Sequence, residues 1–190
     1  MGPKELIIQT ALEIIGQEGI QKITTREVAR RTNMNNAALN YHFGTKENLI
    51  RQAMEFFIRT LGGAYVLLEQ ANRSPSERLL AFLKKFAEIS VLYPGVTKSL
   101  VSQMMFAEEA NPALAESQKR GITAFTDSLK QVTGIQGEPE LQQLGLQLMA
   151  AVIYPVLLHK QLPDLYGIDY ARQEEREAYI ERLFRQYVPS

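Results

Sequence analysis

Apolar residues recur along the 190-residue chain at intervals of three and four, without a stretch of strict alternation, and this pattern predicts helices throughout. Ile7, Ala11, Ile14 and Ile15 share one face of a first helix running from Pro3 to about Gly16. Pro3 sits near the first position, where a missing N–H costs nothing, and Gly19 is the expected terminator. A short second helix, about Thr25 to Arg31, turns Val28 and Ala29 inward. Thr24 is its expected N-cap, and Glu27, three residues on, is expected to reach back and close a capping box. Asn33-Met34-Asn35 breaks that helix, because asparagine tolerates left-handed backbone and Asn35 can cap the next helix. That third helix has only two turns, from Asn36 to about Phe43. Leu39 and Phe43 share its inner side, leaving Asn36, Ala37, Asn40 and Tyr41 to point outward.

Gly44-Thr45 stops and restarts the chain, with Thr45 as the next cap. The fourth helix keeps 3–4 spacing through Leu49, Ile50, Met54, Phe57, Ile58, Leu61, Tyr65 and Leu68 to about Gln70, interrupted by the soft pair Gly62-Gly63. Arg73-Ser74-Pro75-Ser76 reads as a loop. Helices are then predicted over about Ser76–Tyr93, Val96–Glu109, Pro112–Thr133, Glu138–Gln161 and Asp169–Tyr187, with Leu162–Gly167 as a connecting loop and Pro155 kinking its helix. The fold class is all-α.

Composition changes this picture little. Hydrophobic residues make up 45% and charged residues 22%, enough apolar material for a core. Cysteine is absent, which excludes disulfides, thiolate metal sites and cysteine nucleophiles, and fits a reducing, cytoplasmic setting. The N-terminal residues carry no secretory pattern, and the apolar run Leu148 to Leu158 is too short for a bilayer, which needs about 20 residues. No membrane association is expected. Only two histidines occur, and neither paired metal-ligand spacing nor a phosphate-cradling glycine loop is present. No catalytic residues, metal or cofactor are therefore expected. Net charge is zero, but Lys22, Arg26, Arg30, Arg31 and Lys46 face only Glu27 between residues 20 and 46. Such a patch suits phosphate contact and equally suits a solvated helix face, so charge does not decide between them.

Two short helices joined by a tight turn are the helix-turn-helix plan, whose second helix enters the major groove of DNA. Asn36 and Asn40 can each make paired hydrogen bonds to adenine, and Ala37 can lie against a thymine methyl. Tyr41, His42, Thr25 and Lys46 can donate to phosphate oxygens, and the capped helix start at Asn35 offers free backbone N–H groups.

The segment ITTREVARRTNMNNAALNYHFGTKENLI, Ile23 to Ile50, together with the preceding IIQTALEIIGQEGI, resembles the signature of the TetR family of bacterial regulators. The likeness is continuous over about 45 residues and includes the run from Tyr41 to Leu49. Asn33 stands where the family commonly has glycine, Asn35 where it has serine, and Asn40 where tyrosine is frequent. The resemblance implies that Thr25, Asn35, Asn36, Ala37, Tyr41, His42 and Lys46 occupy DNA-contacting positions. It implies a helix-turn-helix domain over residues 1–46, joined by a long helix to a helical regulatory domain over 47–190. That second domain is expected to bind a ligand and to dimerise, giving a homodimeric repressor that holds a palindromic operator on double-stranded DNA until a small, largely apolar effector releases it.

For the dimer, Leu144, Leu148, Val152 and Val156 run down one late helix and Ile180, Leu183, Phe184 and Tyr187 down the other, which permits a four-helix bundle across a two-fold axis. The alternative is that the same stripes face the subunit's own core. Phe82, Phe86, Met104, Met105, Phe106, Phe125 and Tyr154 could line an effector cavity, with Gln103 and His159 as polar handles, or could be plain core. An adaptor that sits on DNA and recruits a protein partner is the alternative, and it would expose an apolar patch in place of a cavity.

Overall fold

The structure, a computed structural model, describes residues 2–106 and 112–188; for residues 103, 104, 106 and 112–118 it describes the backbone alone. Among the described residues all regular structure is helical: α1 Pro3–Glu18, α2 Thr25–Thr32, α3 Asn36–Phe43, α4 Lys46–Tyr65, α5 Pro75–Leu92, α6 Pro94–Phe106, α7 Pro112–Thr133, α8 Glu138–Leu157, α9 Leu162–Tyr166 and α10 Gln173–Tyr187. Short 3-10 turns lie at Ile20–Lys22 and Val66–Glu69. No described helix is long and apolar enough to cross a membrane.

The chain forms two compact units. One holds the residues up to Thr60 together with those from Tyr93 to the end of α6; the other holds Leu61–Leu92 and the residues from α7 onward.

In the first unit α1 packs on α2 and on α6, and α2 packs on α3. The periodic face of α1 supplies Ile7, Ala11, Ile14 and Ile15, which join Ile23, Val28, Leu39, Phe43, Leu49, Phe57 and Val96 in the core. Each fully buried aliphatic or aromatic side chain contributes about 1.5–3 kcal/mol relative to exposure. The α1–α6 crossing is a backbone contact. A Cβ on Gly95 would stand 2.1 Å from the Cα of Gly16, whereas a Cβ on Gly16 would lie 3.6 Å from the nitrogen of Gly95. Nothing in the linear pattern signalled that α6 joins the N-terminal helices. Phe57 and Tyr93 meet edge to face in the same core, 5.8 Å apart, and burial pushes the Tyr93 phenol upward.

In the second unit α5 packs against α7, α8 and α10, and α8 against α7 and α10. A reciprocal capping box lies here, in the stretch read from sequence as a loop. The Ser74 hydroxyl and backbone N–H both donate to the Glu77 carboxylate at 2.8 Å, and Glu77 N–H donates back to Ser74 Oγ at 3.3 Å. Ser74 lowers the Glu77 pKa through those two bonds, the backbone one first. Lys84 of α5 reaches Glu177 and Glu181 of α10 at 3.1 and 2.6 Å.

Helix α8 is shorter than the sequence predicts, ending at Leu157, and the predicted loop from Leu162 contains α9. Pro155 is tolerated inside α8 because its consequence is answered from α10. A proline has no N–H for the carbonyl four residues back, here Ala151, and the Tyr179 hydroxyl donates to that carbonyl at 3.0 Å. The Tyr170 hydroxyl donates to the next one, Val152 O, at 3.3 Å, and the two phenol rings meet edge to face. Arg176, buried, donates to the carbonyls of Tyr170 and Ala171, which fixes the loop before α10 and delays its start to Gln173.

Candidate nucleic-acid interface

Helix α3 is held at both ends by asparagine side chains. Asn35 has extended backbone, and its Oδ1 accepts from Ala38 N–H at 2.7 Å, the expected N-cap. At the other end Asn48 Nδ2 donates to Phe43 O at 2.6 Å, while Asn48 N–H is capped by Thr45 Oγ1 at 3.2 Å. The sequence pattern did not reveal this second tie. Its signal is an amide three residues after a threonine cap, where it can reach back to the preceding helix's last carbonyl. Between the ends, Leu39 and Phe43 anchor the helix in the core, and Lys4 lies over the Phe43 ring at 5.9 Å.

The turn before α3 depends on Asn33, at φ 53° and ψ 36°, the one non-glycine residue of positive φ among those described. Its N–H donates to Arg30 O, and Met34 N–H to Ala29 O, which satisfies carbonyls left free where α2 ends.

Thr24 caps α2 as expected, accepting from Glu27 N–H at 3.1 Å. The return half of the predicted box is replaced. The Glu27 carboxylate accepts from Arg30 at 2.7 and 2.9 Å and from Arg31 at 2.7 Å, and Arg31 also pairs with Glu18. Two guanidiniums outcompete a single backbone N–H, because charge-assisted bonds are about twice as strong as neutral ones. Hydrogen bonds from Arg30 and then Arg31 hold the Glu27 carboxyl down at about 2. Two of the five cations counted from sequence are thus consumed within the unit.

The outward face of α3 carries Asn36, Ala37, Asn40 and Tyr41, all exposed, Tyr41 at 87%. His42 is half-buried and meets Tyr41 edge to face at 5.2 Å. Thr25 and Lys46, also half-buried, stand at the first positions of α2 and α4. The predicted DNA-contacting residues therefore gather on and around α3.

The residues expected to line an effector cavity gather only in part. Phe82, Phe86 and Phe125 form one cluster with Tyr65, with centroids 4.9 Å apart for Tyr65–Phe82, 5.6 Å for Phe82–Phe86 and 5.3 Å for Phe82–Phe125. Those separations are ring-on-ring packing. Tyr154 is corrected: it is 54% exposed, on the outer side of α8, away from any buried lining. His159 comes just after α8, its Nδ1 3.2 Å from Val156 O. The side chains of Gln103, Met104 and Phe106 lie outside the described residues; Met105 is exposed.

The residues of the expected dimer stripe divide by burial. Leu148, Val152, Val156 and Ile180 are fully buried and Leu183 is 7% exposed, so they are core of their own unit and have almost no surface left for a partner. Phe184 and Tyr187 are half-buried. The apolar positions that α8 leaves outside are Leu146, Ala150 and Tyr154, four apart.

Residues 7–53 match the family model described as bacterial regulatory proteins, tetR family. The HTH-type transcriptional regulator BetI of Brucella abortus (strain 2308) is 33% identical over 78 residues, 40% of this chain and 39% of that protein. The chain thus aligns with about two fifths of that relative's length. Over nearly the whole chain the fold is shared with a TetR-family transcriptional regulator from Bordetella parapertussis 12822, at 17% identity and a TM-score of 0.74, covering 98% of this chain and 94% of that one. The ketosteroid transcriptional regulator KstR2 of Mycobacterium tuberculosis shares it at 15% identity and a TM-score of 0.70, covering 97% and 94%. The helix-turn-helix segment is therefore similar to that of the TetR family of bacterial regulatory proteins, and the all-α fold is the one its solved members share.

Proposed function

We propose that the chain is a DNA-binding transcriptional regulator, not an enzyme, acting as a homodimer on a palindromic operator. The observation that carries this reading is the presentation of α3. It is a short helix capped by Asn35, anchored by Leu39 and Phe43, with Asn36, Ala37, Asn40 and the exposed ring of Tyr41 on its outer face. In the major groove that face meets base edges, while Tyr41, Thr25 and Lys46 bond phosphate oxygens and fix the register.

A two-fold dimer places its two copies of α3 one helical turn of DNA apart, roughly 34–36 Å. In this reading the second copy packs against the outer row of α8, Leu146, Ala150 and Tyr154, which is apolar and exposed at helical spacing. A small, largely apolar effector releases the operator by opening the packed cluster of Tyr65, Phe82, Phe86 and Phe125 and favouring a state with lower DNA affinity. The aromatic character of that cluster supports this part, as does the name of the ketosteroid regulator among the fold neighbours.

The test is selection of bacterial genomic fragments by the purified chain, and then footprinting. The expected product is an inverted repeat with half-sites about 10–10.5 base pairs apart, centre to centre, or a multiple of that. Enrichment of asymmetric single sites would remove the dimeric reading, and no enrichment would remove the DNA-binding one.

A further inference from the structure

Four asparagines stand between residues 33 and 40, and the structure sorts them. Asn33 serves the backbone, in the left-handed turn. The Oδ1 of Asn35 is committed to Ala38 N–H at 2.7 Å and is withdrawn from any base. Asn36 and Asn40 remain: both exposed, one helical turn apart, and without a side-chain hydrogen bond within the chain among the described residues. Resting on the DNA-binding reading above, we infer that these two side chains read two adjacent A·T pairs in each half-site.

The chemistry of the carboxamide sets the base. It offers one acceptor and one donor side by side, the complement of adenine N6–H and N7 in the major groove. Guanine shows two acceptors there and calls for the paired donors of arginine or lysine. Helix α3 contains neither residue. The two arginines at the end of the preceding helix are tied down, Arg30 to Glu27 and Arg31 to Glu27 and Glu18. Ala37, exposed beside Asn36, adds a methyl that suits thymine and makes no hydrogen bond to any base.

The geometry sets the spacing. Residues four apart on a helix are separated by about 6 Å along its axis. Successive base pairs are about 3.4 Å apart. That spacing is measured along the DNA axis; the groove winds around the axis and its path per base pair is longer, so residues three to four apart on a recognition helix meet successive bases, and Asn36 and Asn40 reach two adjacent pairs.

The experiment is selection of sites from a randomised duplex pool by the full chain, the Asn36→Ala variant and the Asn40→Ala variant. Both side chains are exposed and alanine is the better helix former, so folding is preserved, and a thermal melt checks this. The parent is expected to select A·T at two adjacent positions. Each variant is expected to lose discrimination at one of them, by roughly five- to a hundredfold in relative affinity, and to keep it at the other. Selection of G·C at either position overturns the inference, as does an equal loss of affinity for all sequences in both variants. Either of those results leaves the regulator reading standing. A parent that enriches no sequence overturns both.

Discussion

Removing the hydroxyl of Tyr179 isolates one hydrogen bond whose necessity comes from a proline. In α8 the Ala151 carbonyl has lost its usual donor, since Pro155 carries no N–H, and Tyr179 Oη supplies the replacement at 3.0 Å. Tyr179→Phe keeps the ring and its edge-to-face contact with Tyr170 at 5.4 Å, and leaves the carbonyl unmet. A buried acceptor without a donor costs about 1–3 kcal/mol. Tyr179 is only half-buried, so water recovers part of that, and a loss of about 1–2 kcal/mol is expected. For a chain of this length the melting midpoint falls by roughly 2–8 °C. The decisive assay is a double-mutant cycle with Pro155→Ala, read by urea unfolding at fixed protein concentration. Alanine at 155 restores a backbone donor to Ala151 O, so Tyr179→Phe in that background is expected to cost less by about 1 kcal/mol. Equal losses in both backgrounds would refute the assignment of the tyrosine to the proline-orphaned carbonyl. Tyr170→Phe is the internal comparison, because Val152 O, its acceptor at 3.3 Å, faces a residue four positions on, Val156, that retains its N–H.

Four further outcomes are expected. Gly95→Ala places a Cβ 2.1 Å from Gly16 Cα and is expected to lower the melting midpoint sharply, while Gly16→Ala, with its nearest neighbour at 3.6 Å, is tolerated; equal midpoints for the pair would count against the crossing. Glu27→Gln frees Arg30 and leaves Arg31 paired with Glu18, so binding to unrelated DNA is expected to strengthen and its salt dependence to steepen, and an unchanged salt slope would mean the released guanidinium points away from the phosphates. The same ion pairs give a pH signature. The folded Glu27 carboxyl titrates at about 2, below its ordinary 4.5, so its contribution is complete above 4.5 and disappears as pH falls through 2. The stability difference between parent and Glu27→Gln should vanish over that window. Finally, Leu146→Asp together with Tyr154→Asp is expected to yield monomers in sedimentation while leaving the fold intact, because both side chains are exposed; an unchanged sedimentation coefficient for a dimeric parent would exclude that face.

The helix-turn-helix segment was legible because its determinants are local. Thr24, Asn33, Asn35 and Thr45 act on backbone groups within a few residues, and Leu39 and Phe43 declare an inner face by spacing alone. What escaped depends on partners distant in sequence. Glu27 has the spacing of a capping-box residue, yet its carboxylate goes to Arg30 and Arg31, and only competition among all nearby donors decides that. The stripe of Leu148, Val152 and Val156 is apolar whether it meets the chain's own α5 and α10 or another copy, and periodicity carries no information about which. The end of α8 escaped for a related reason. The 3–4 pattern continues past Leu157, and the apolar residues beyond it serve a separate short helix, with Leu162 buried at its start. Arg176 reads as one more charge on a polar surface, and its burial against the carbonyls of Tyr170 and Ala171 comes from a loop conformation that no spacing encodes.

The crossing of Gly16 and Gly95 constrains how the chain can drift under mutation. Most overpacked contacts in a core can be relieved by trimming the side chain opposite, so that a large-for-small change on one helix is rescued by a small-for-large change on the other. Here the atoms met by a new Cβ on Gly95 are main-chain atoms of a residue that is already glycine, and nothing remains to trim. A replacement at 95 can be accommodated only by moving α1 and α6 apart, whereas position 16 is free to acquire a methyl group. Variation is therefore open on one side of the contact and closed on the other, and a population of functional variants would be expected to show alanine at 16 long before it showed any side chain at 95.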